Sequence, residues 1–222
     1  MSKYSHFCPG CGQPIILQTM YRLLQKRGEI AQAVLGLDIG CSLLAWDLLP
    51  LNTFQTHHGR VIPTMMGFKR AKKDSISIAY AGDGGAYAIG LQSLLWSAKR
   101  NEPITVIVAN NAVYAMTGGQ TAPTTMTGQK TDTSPSGNTE NPLLGPELVR
   151  SMNKKAYIAR VSGADISALT DALEKAFDSQ KNGNFSLVEV LSFCPTNWRV
   201  QGKEMLAYVE NMKTIFPVGE IQ

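Results

Sequence analysis

A chain of 222 residues that is 44% hydrophobic and 17% charged can bury one substantial core, and a single domain over residues 1–222 is expected. The net charge of +4 is modest and its basic residues are dispersed, with Lys69, Arg70, Lys72 and Lys73 as the densest group, so nucleic-acid binding is not expected and that group reads as a solvated turn. No apolar run approaches the ~20 residues that span a bilayer, and Met1–His6 lead into no signal-peptide core, so a cytoplasmic, reducing location without membrane contact is expected, where cysteines favour metal or catalysis over disulfides.

Apolar residues at Ile15, Ile16, Met20, Leu23 and Leu24 predict a helix from Pro14 to Lys26, with Gly28 as its stop. A strand over Ala33–Asp38 runs into Ile39-Gly40-Cys41-Ser42. A helix over Leu43–Leu49 is expected to halt at Pro50, followed by a loop carrying His57-His58-Gly59-Arg60 and a helix near Thr64–Lys72. Met65 and Met66 read as packing residues. The continuous apolar run Ser75–Ala81 predicts a strand buried on both faces. It breaks at Gly82-Asp83-Gly84-Gly85, before a helix over Ile89–Lys99 in which Leu94 and Trp96 read as core. A strand over Ile104–Ala109 then stops at Asn110-Asn111.

Beyond Tyr114 the periodicity ends. Residues 117–142 hold eight threonines among Gly, Pro, Ser, Asn and Gln, a length of structureless chain that is usually functional or disordered. A strand over Ala156–Val161, a helix over Ile166–Gln180 and a strand over Phe185–Leu191 follow. The last strand delivers Phe193-Cys194-Pro195 and leaves a C-terminal extension over residues 195–222. Alternating strands and helices predict an α/β fold with a doubly wound, mostly parallel sheet.

The chain has four cysteines. Cys8 and Cys11 form a CxxC before the first helix, while Cys41 and Cys194 each follow a strand-like run. In an open α/β sheet the strand ends converge on one edge, so a four-thiolate site is expected there. Asp83 stands where a strand gives way to glycines and a helix. Glycines admit phosphate oxygens close to the backbone, and a helix N-terminus favours anions. A carboxylate there would repel phosphate unless a cation lay between them, so Asp83 reads as a Mg²⁺ ligand. The Asn111 amide oxygen and a backbone carbonyl near Val113 would complete the protein's share. Alternatively, Asp83 caps the helix and the glycines only turn the chain. The 27 residues between Asp83 and Asn111, one helix and one strand, favour the ligand reading.

Gly82-Asp83-Gly84 through Asn110-Asn111 resembles the thiamine diphosphate motif. Together with Cys8-Pro9-Gly10-Cys11-Gly12, Ile39-Gly40-Cys41-Ser42, His58-Gly59-Arg60, Val113 to Gln120 and Cys194-Pro195, the chain from about residue 7 to 198 resembles the β subunit of 2-oxoacid:ferredoxin oxidoreductases. That resemblance implies a thiamine diphosphate-binding fold, with thiamine diphosphate, Mg²⁺ and one [4Fe–4S] cluster. It implies that Cys8, Cys11, Cys41 and Cys194 ligate the cluster and that Asp83, Asn111 and Val113 hold Mg²⁺. Gly82, Gly84, Gly85, Tyr114, Ala115 and Met116 would line the diphosphate, and Gly40, Cys41, Ser42, His58 and Gly59 the thiazolium side, with His58 as catalytic candidate. Many members carry an acidic residue where this chain has Gly85.

The implied reaction is oxidative decarboxylation of a 2-oxoacid with coenzyme A to acyl-CoA and CO₂, with electrons passing through the cluster to ferredoxin. Thr121-Ala122-Pro123-Thr124-Thr125 and Thr127-Gly128-Gln129-Lys130-Thr131 resemble the 2-oxoisovalerate branch, with 2-oxoglutarate or pyruvate as alternatives. Partner α/γ-type subunits would supply the pyrimidine-binding half and the coenzyme A site, and the loop over residues 117–142 would cover the cofactor. Two other classes stay open: a non-redox thiamine-dependent decarboxylase subunit, and a zinc-stapled nucleotide-binding module.

Overall fold

The computed structural model describes residues 5–222; Met1–Tyr4, part of the start read above as lacking a signal peptide, lie outside the described residues. Seven strands form one sheet: β1 (Ala33–Leu37), β2 (Asn52–Gln55), β3 (Ile76–Gly82), β4 (Thr105–Asn110), β5 (Tyr157–Ser162), β6 (Ser186–Leu191) and β7 (Gly219–Glu220). Their spatial order is β2-β1-β3-β4-β6-β5-β7, and every pairing is parallel except β5 with β7. The helices are α1 (Gln13–Lys26), α2 (Val61–Ala71), α3 (Leu91–Lys99), α4 (Gly145–Met152), α5 (Ile166–Lys181), α6 (Pro195–Trp198) and α7 (Lys203–Ile215).

The apolar runs are strands because both faces of the sheet are covered. Alternate side chains point to opposite faces. Ile78, Tyr80, Ile107, Val188 and Val190 pack with Leu17 and Met20 of α1 and Phe177 of α5. Their neighbours Ala79, Ala81, Val106, Val108 and Leu187 pack with Met65 of α2, Leu94 of α3 and Val149 of α4. A buried side chain the size of Phe177 contributes about 2–3 kcal/mol over an exposed one. Local signals agree: Pro14 sits in the first turn of α1, where its missing N–H costs nothing. Asp165 caps α5, accepting the Ala168 N–H at 3.0 Å, a contact worth about 1 kcal/mol.

Several elements differ from the sequence reading. The helix expected over Leu43–Leu49 is a short 3₁₀ turn, Cys41–Ala45, entered through Gly40 at φ 141°. Strand β2 replaces part of an expected loop; as an edge strand, half-exposed, it needs no apolar run. Helix α3 is preceded by one π-helical turn, Gly85–Ile89, whose Gly85 carbonyl accepts the Gly90 N–H at 2.9 Å. Leu94 is buried, but Trp96 is 52% exposed, since α3 turns Leu94, Ser97 and Ala98 inward and leaves Trp96 outside. Lys69 is no solvated turn residue: its ammonium donates to the Lys73 and Ser75 carbonyls at 2.6 Å, and Arg70 pairs with Glu102.

The C-terminal extension is also folded. Val209 and Met212 of α7 and Phe216 pack against Val113, Leu191, Phe193 and Trp198, making a third apolar cluster at the carboxyl end of the sheet. The connection leaving β1 runs to β2 on one side and the connection leaving β3 runs to β4 on the other, so the carboxyl ends of β1 and β3 flank a topological switch point, where open α/β sheets bind ligands. Among the described residues no helix is long and apolar enough to cross a membrane.

Candidate active site

Four segments reach this edge: residues 38–41 after β1, 82–85 after β3, 110–113 after β4 and 192–194 after β6. They enclose a cleft lined by the expected residues Gly40, Cys41, His58, Gly82, Asp83, Gly84, Gly85, Asn111, Val113, Tyr114, Ala115 and Met116, joined by Gln13, Ile39 and Thr117. Ser42 and Gly59 are brought close but stand behind the wall. Ser42 donates to the Asp38 carbonyl at 3.1 Å, and the Gly59 N–H donates to Asp38 Oδ1 at 2.6 Å.

Asp83 is 2% exposed, and burial pushes its carboxyl up from 3.8 to about 7, opposed by a hydrogen bond from Thr124 Oγ1 and by the Gly84 N–H. A Cβ at Gly82 would meet nothing within 4 Å, so the backbone beside Asp83 is open to a ligand. A Cβ at Gly84 would overlap the Tyr114 ring, and one at Gly85 would overlap Asp38 Oδ2. The space left by the missing acidic side chain at residue 85 is therefore filled by another carboxylate, from the end of β1.

Beyond β4 the backbone is held in a strained turn. Ala112 has φ 58°, a left-handed conformation uncommon for alanine, with no exposure. Three contacts impose it: Asn110 Oδ1 accepts the Ala112 N–H at 3.0 Å, and the Ala112 carbonyl accepts from Thr125 Oγ1 at 2.7 Å and Gln129 Nε2 at 3.1 Å. The turn sets the direction of Asn111 and Val113. The Asn111 carbonyl accepts from the Trp198 indole at 2.9 Å, and its Oδ1 accepts the Val113 N–H at 3.2 Å.

The threonine-rich segment is thus not a loose surface loop. Thr124 and Thr125 are fully buried, and Asn138 Nδ2 ties the Thr125 carbonyl at 2.8 Å. With no periodicity to show in sequence, its order comes from side-chain hydrogen bonds to Asp83 and Ala112.

The four cysteines are free thiols gathered beside the cleft. The CxxC loop closes through the Cys11 N–H to the Cys8 carbonyl at 3.0 Å, and Gly12 N–H donates to the Phe193 carbonyl at 3.1 Å, next to Cys194. A Cβ at Gly12 would lie 2.6 Å from the Phe193 nitrogen, so only glycine allows this approach. Burial, with a smaller push from the neighbouring thiols, raises the Cys11 thiol to about 11 and the Cys41 thiol to about 12. Cys194 is raised by burial too, against a hydrogen bond from Asn197. Among the described residues no three His, Cys, Asp or Glu side chains converge closely enough to hold a single metal ion. The thiols are near enough to influence one another electrostatically.

A buried charged group lies beneath Asp83. Arg160 and Glu189 are register partners on β5 and β6, both unexposed, and form an ion pair. Burial works against the Arg160 charge, but Glu147, bound at 2.7 and 2.8 Å, and Glu189 keep it charged. Burial raises the Glu189 carboxyl despite Arg160, and Asn110 Nδ2 reaches it at 3.4 Å. The functional roles of Arg160, Thr124 and Asp38 have no sequence motif to announce them. A charge at the end of an apolar run was the signal for Asp38.

Residues 38–190 match the family model of the thiamine pyrophosphate enzyme C-terminal TPP-binding domain. The ketoisovalerate oxidoreductase subunit VorA of Methanothermobacter thermautotrophicus is 36% identical over 96% of this chain and 47% of its own length. The 2-oxoglutarate synthase subunit KorB of Archaeoglobus fulgidus is 35% identical over 92% of this chain and 75% of that protein. The 2-oxoacid:ferredoxin oxidoreductase subunit beta of Saccharolobus solfataricus is 32% identical over 91% and 66%. The chain thus spans about half of the ketoisovalerate relative and three quarters of the oxoglutarate one. In structure, 2-oxoglutarate:ferredoxin oxidoreductase from Magnetococcus marinus superposes with a TM-score of 0.85 at 24% identity, over 95% of this chain and 70% of that one, a likeness of fold.

Proposed function

The chain belongs to the β subunits of the 2-oxoacid:ferredoxin oxidoreductases, built on the thiamine pyrophosphate-binding domain, and from that membership we propose that it binds thiamine diphosphate through Mg²⁺, carries one [4Fe–4S] cluster, and oxidises a branched-chain 2-oxoacid with coenzyme A. One observation carries the reading. The cleft bearing Asp83 and Asn111 is walled by Cys41, one of the four gathered thiols.

The residues fit the groups they would hold. A sealed carboxyl raised to about 7 is a poor anion alone and a good one beside a cation. Asp83, the Asn111 amide oxygen and the Val113 carbonyl are hard oxygen donors of the kind Mg²⁺ takes. Gly82 leaves the backbone open to phosphate oxygens. Cys8, Cys11, Cys41 and Cys194 are the donor set of a cubane cluster.

When bound, thiamine diphosphate supplies the carbanion chemistry of decarboxylation. This chain's own residues do the rest from its side. Thr124 orients Asp83, the strained Ala112 turn aims Asn111 and Val113, and the Gly82 and Gly84 backbone receives the diphosphate. His58 presents an imidazole to the cleft. Cys41 at the wall gives electrons a short path into the thiol site.

The site is incomplete. Its cleft holds about 150 Å³, below the 300 Å³ or more usual for small-molecule sites. Ile39, Ile89 and Met116 leave apolar side chains 41–49% exposed near it. Partner subunits covering this rim would add the pyrimidine half and the coenzyme A site, with ferredoxin as acceptor in the cytoplasm.

Identities of 36% and 35% to ketoisovalerate and oxoglutarate relatives do not separate the substrates. The threonine segment that resembled the 2-oxoisovalerate branch bonds to Asp83 and Ala112, so it bears on the cofactor site. Two features favour a branched-chain acid: the apolar Ile39 and Met116, and a described lining without Lys or Arg to pair a second carboxylate. The test is acyl-CoA formation by the complex with partner subunits, under anaerobic conditions, from 2-oxoisovalerate, 2-oxoglutarate and pyruvate. A preference for 2-oxoisovalerate, and no turnover by this chain alone, is expected. Preference for 2-oxoglutarate would move the substrate reading; turnover by the isolated chain would refute the shared site.

A further inference from the structure

The apolar strand β1 runs directly into Asp38, whose carboxylate has no exposure. Burying such a group costs several kcal/mol unless partners replace water. Asp38 Oδ1 has one, the Gly59 N–H at 2.6 Å. Oδ2 makes no hydrogen bond, although it is sealed from solvent. His58 Nδ1 stands 3.3 Å from it, off hydrogen-bond alignment. The same Nδ1 lies 2.8 Å from the Ile39 carbonyl oxygen.

Two acceptors, one of them a carboxylate, therefore face Nδ1. A lone pair there would be repelled by both, so the proton belongs on Nδ1 and the lone pair on Nε2. His58 lines the cleft, so its imidazole is offered there in one tautomer.

A second, independent feature fixes the same carboxylate. The Cβ of any side chain at residue 85 would overlap Asp38 Oδ2, and it would stand 3.4 Å from His58 Cε1. Residue 85 has no positive φ to demand glycine. It lies in a helical turn, where alanine is normally the more stable residue. Glycine is required there because Asp38 occupies the space.

We propose that Asp38 is a positioning residue acting through His58: it holds the imidazole proton on Nδ1 and leaves Nε2 as a proton acceptor facing the cofactor cleft, with Gly85 kept bare to admit it. The use of Nε2 on a reaction rests on the function proposed above. The three-residue arrangement does not.

Three measurements separate these claims. Urea unfolding of the full chain tests the packing: G85A lowers the midpoint in the wild type and raises it in a D38A background. The same sign in both backgrounds would overturn the arrangement. With three histidines in the chain, ¹⁵N-resolved imidazole spectra, assigned with H58Q, read the tautomer directly. His58 is expected Nδ1-protonated in the wild type and shifted toward Nε2 protonation in D38N, whose amide can donate to Nδ1. An Nε2-protonated wild type would refute the proposal.

In the complex with its partner subunits, D38N lowers kcat about 100-fold, the scale of a general acid–base contribution, while KM and thiamine diphosphate affinity stay within twofold. Full kcat in D38N would overturn the role. A complex that oxidises no 2-oxoacid, with the G85A and tautomer results as expected, would instead sink the proposed function.

Discussion

Asp83→Asn should make the metal-free protein more stable above neutral pH while removing its response to Mg²⁺. Asp83 is 2% exposed and its carboxyl rises from 3.8 to about 7, with burial as the largest cause. Folded-state pKa exceeds unfolded, so between about pH 4 and pH 7 the native protein holds a proton that the unfolded chain has released. Stability from this group is complete below about pH 4 and is lost as pH rises through about 7. At ~1.4 kcal/mol per pH unit, the loss by pH 8 is about 4 kcal/mol. For a chain of this size that corresponds to a melting temperature lower by roughly 10 °C.

Asparagine keeps the Thr124 hydrogen bond and removes the charge. The difference between D83N and wild type isolates Asp83 from other raised carboxyls such as Glu189 and Asp38. Thermal melts from pH 4 to 8 in chelator should show the two proteins close at pH 4, separating steadily up to about pH 7 and parallel above it. Adding Mg²⁺ and thiamine diphosphate at pH 8 should recover wild type and leave D83N unmoved, since the cation replaces the proton. Curves parallel over the whole pH range would refute the reasoning.

Other substitutions test other parts of the site. R160M leaves Glu189 fully buried without its cation and should cost about 3–5 kcal/mol in urea unfolding, with R160M/E189M recovering much of it; a loss under about 1 kcal/mol would contradict the ion-pair account. G84A drives a methyl into the Tyr114 ring and should weaken thiamine diphosphate binding to the complex about tenfold, or ~1.4 kcal/mol, with the circular dichroism spectrum unchanged. Unaltered affinity would place the diphosphate elsewhere. C41S should remove most iron and acid-labile sulfide from anaerobically prepared protein, and retention of both at wild-type content would exclude Cys41 as a ligand.

What the sequence made legible follows from how each feature is encoded. β3, β4 and β6 announce themselves as apolar runs because helices cover both faces, and the turns after β3 and β4 stand out because Gly82 to Gly85 and Asn110-Asn111 break those runs. β2 is invisible because an edge strand can be half-exposed. Trp96 misled because hydrophobicity does not say which face of α3 a residue takes. The cysteines were legible as a set, since strand ends share an edge.

Pairings across the fold were not. Asp38 against Gly85, Thr124 against Asp83 and Arg160 against Glu189 each join residues whose meeting depends on strand order or register. Composition marked the threonine segment as unusual. Only its hydrogen bonds to Asp83 and Ala112 reveal it as scaffold for the site.

The most direct test of the shared site is the visible spectrum of the complex, prepared anaerobically with its partner subunits, before and after 2-oxoisovalerate and coenzyme A. Broad absorption near 400 nm that bleaches on substrate addition is the expected result, because decarboxylation at the Asp83 cleft and reduction of the cluster that the four cysteines would hold are then one connected event. A colourless protein, or a cluster whose absorption no 2-oxoacid changes, would contradict it.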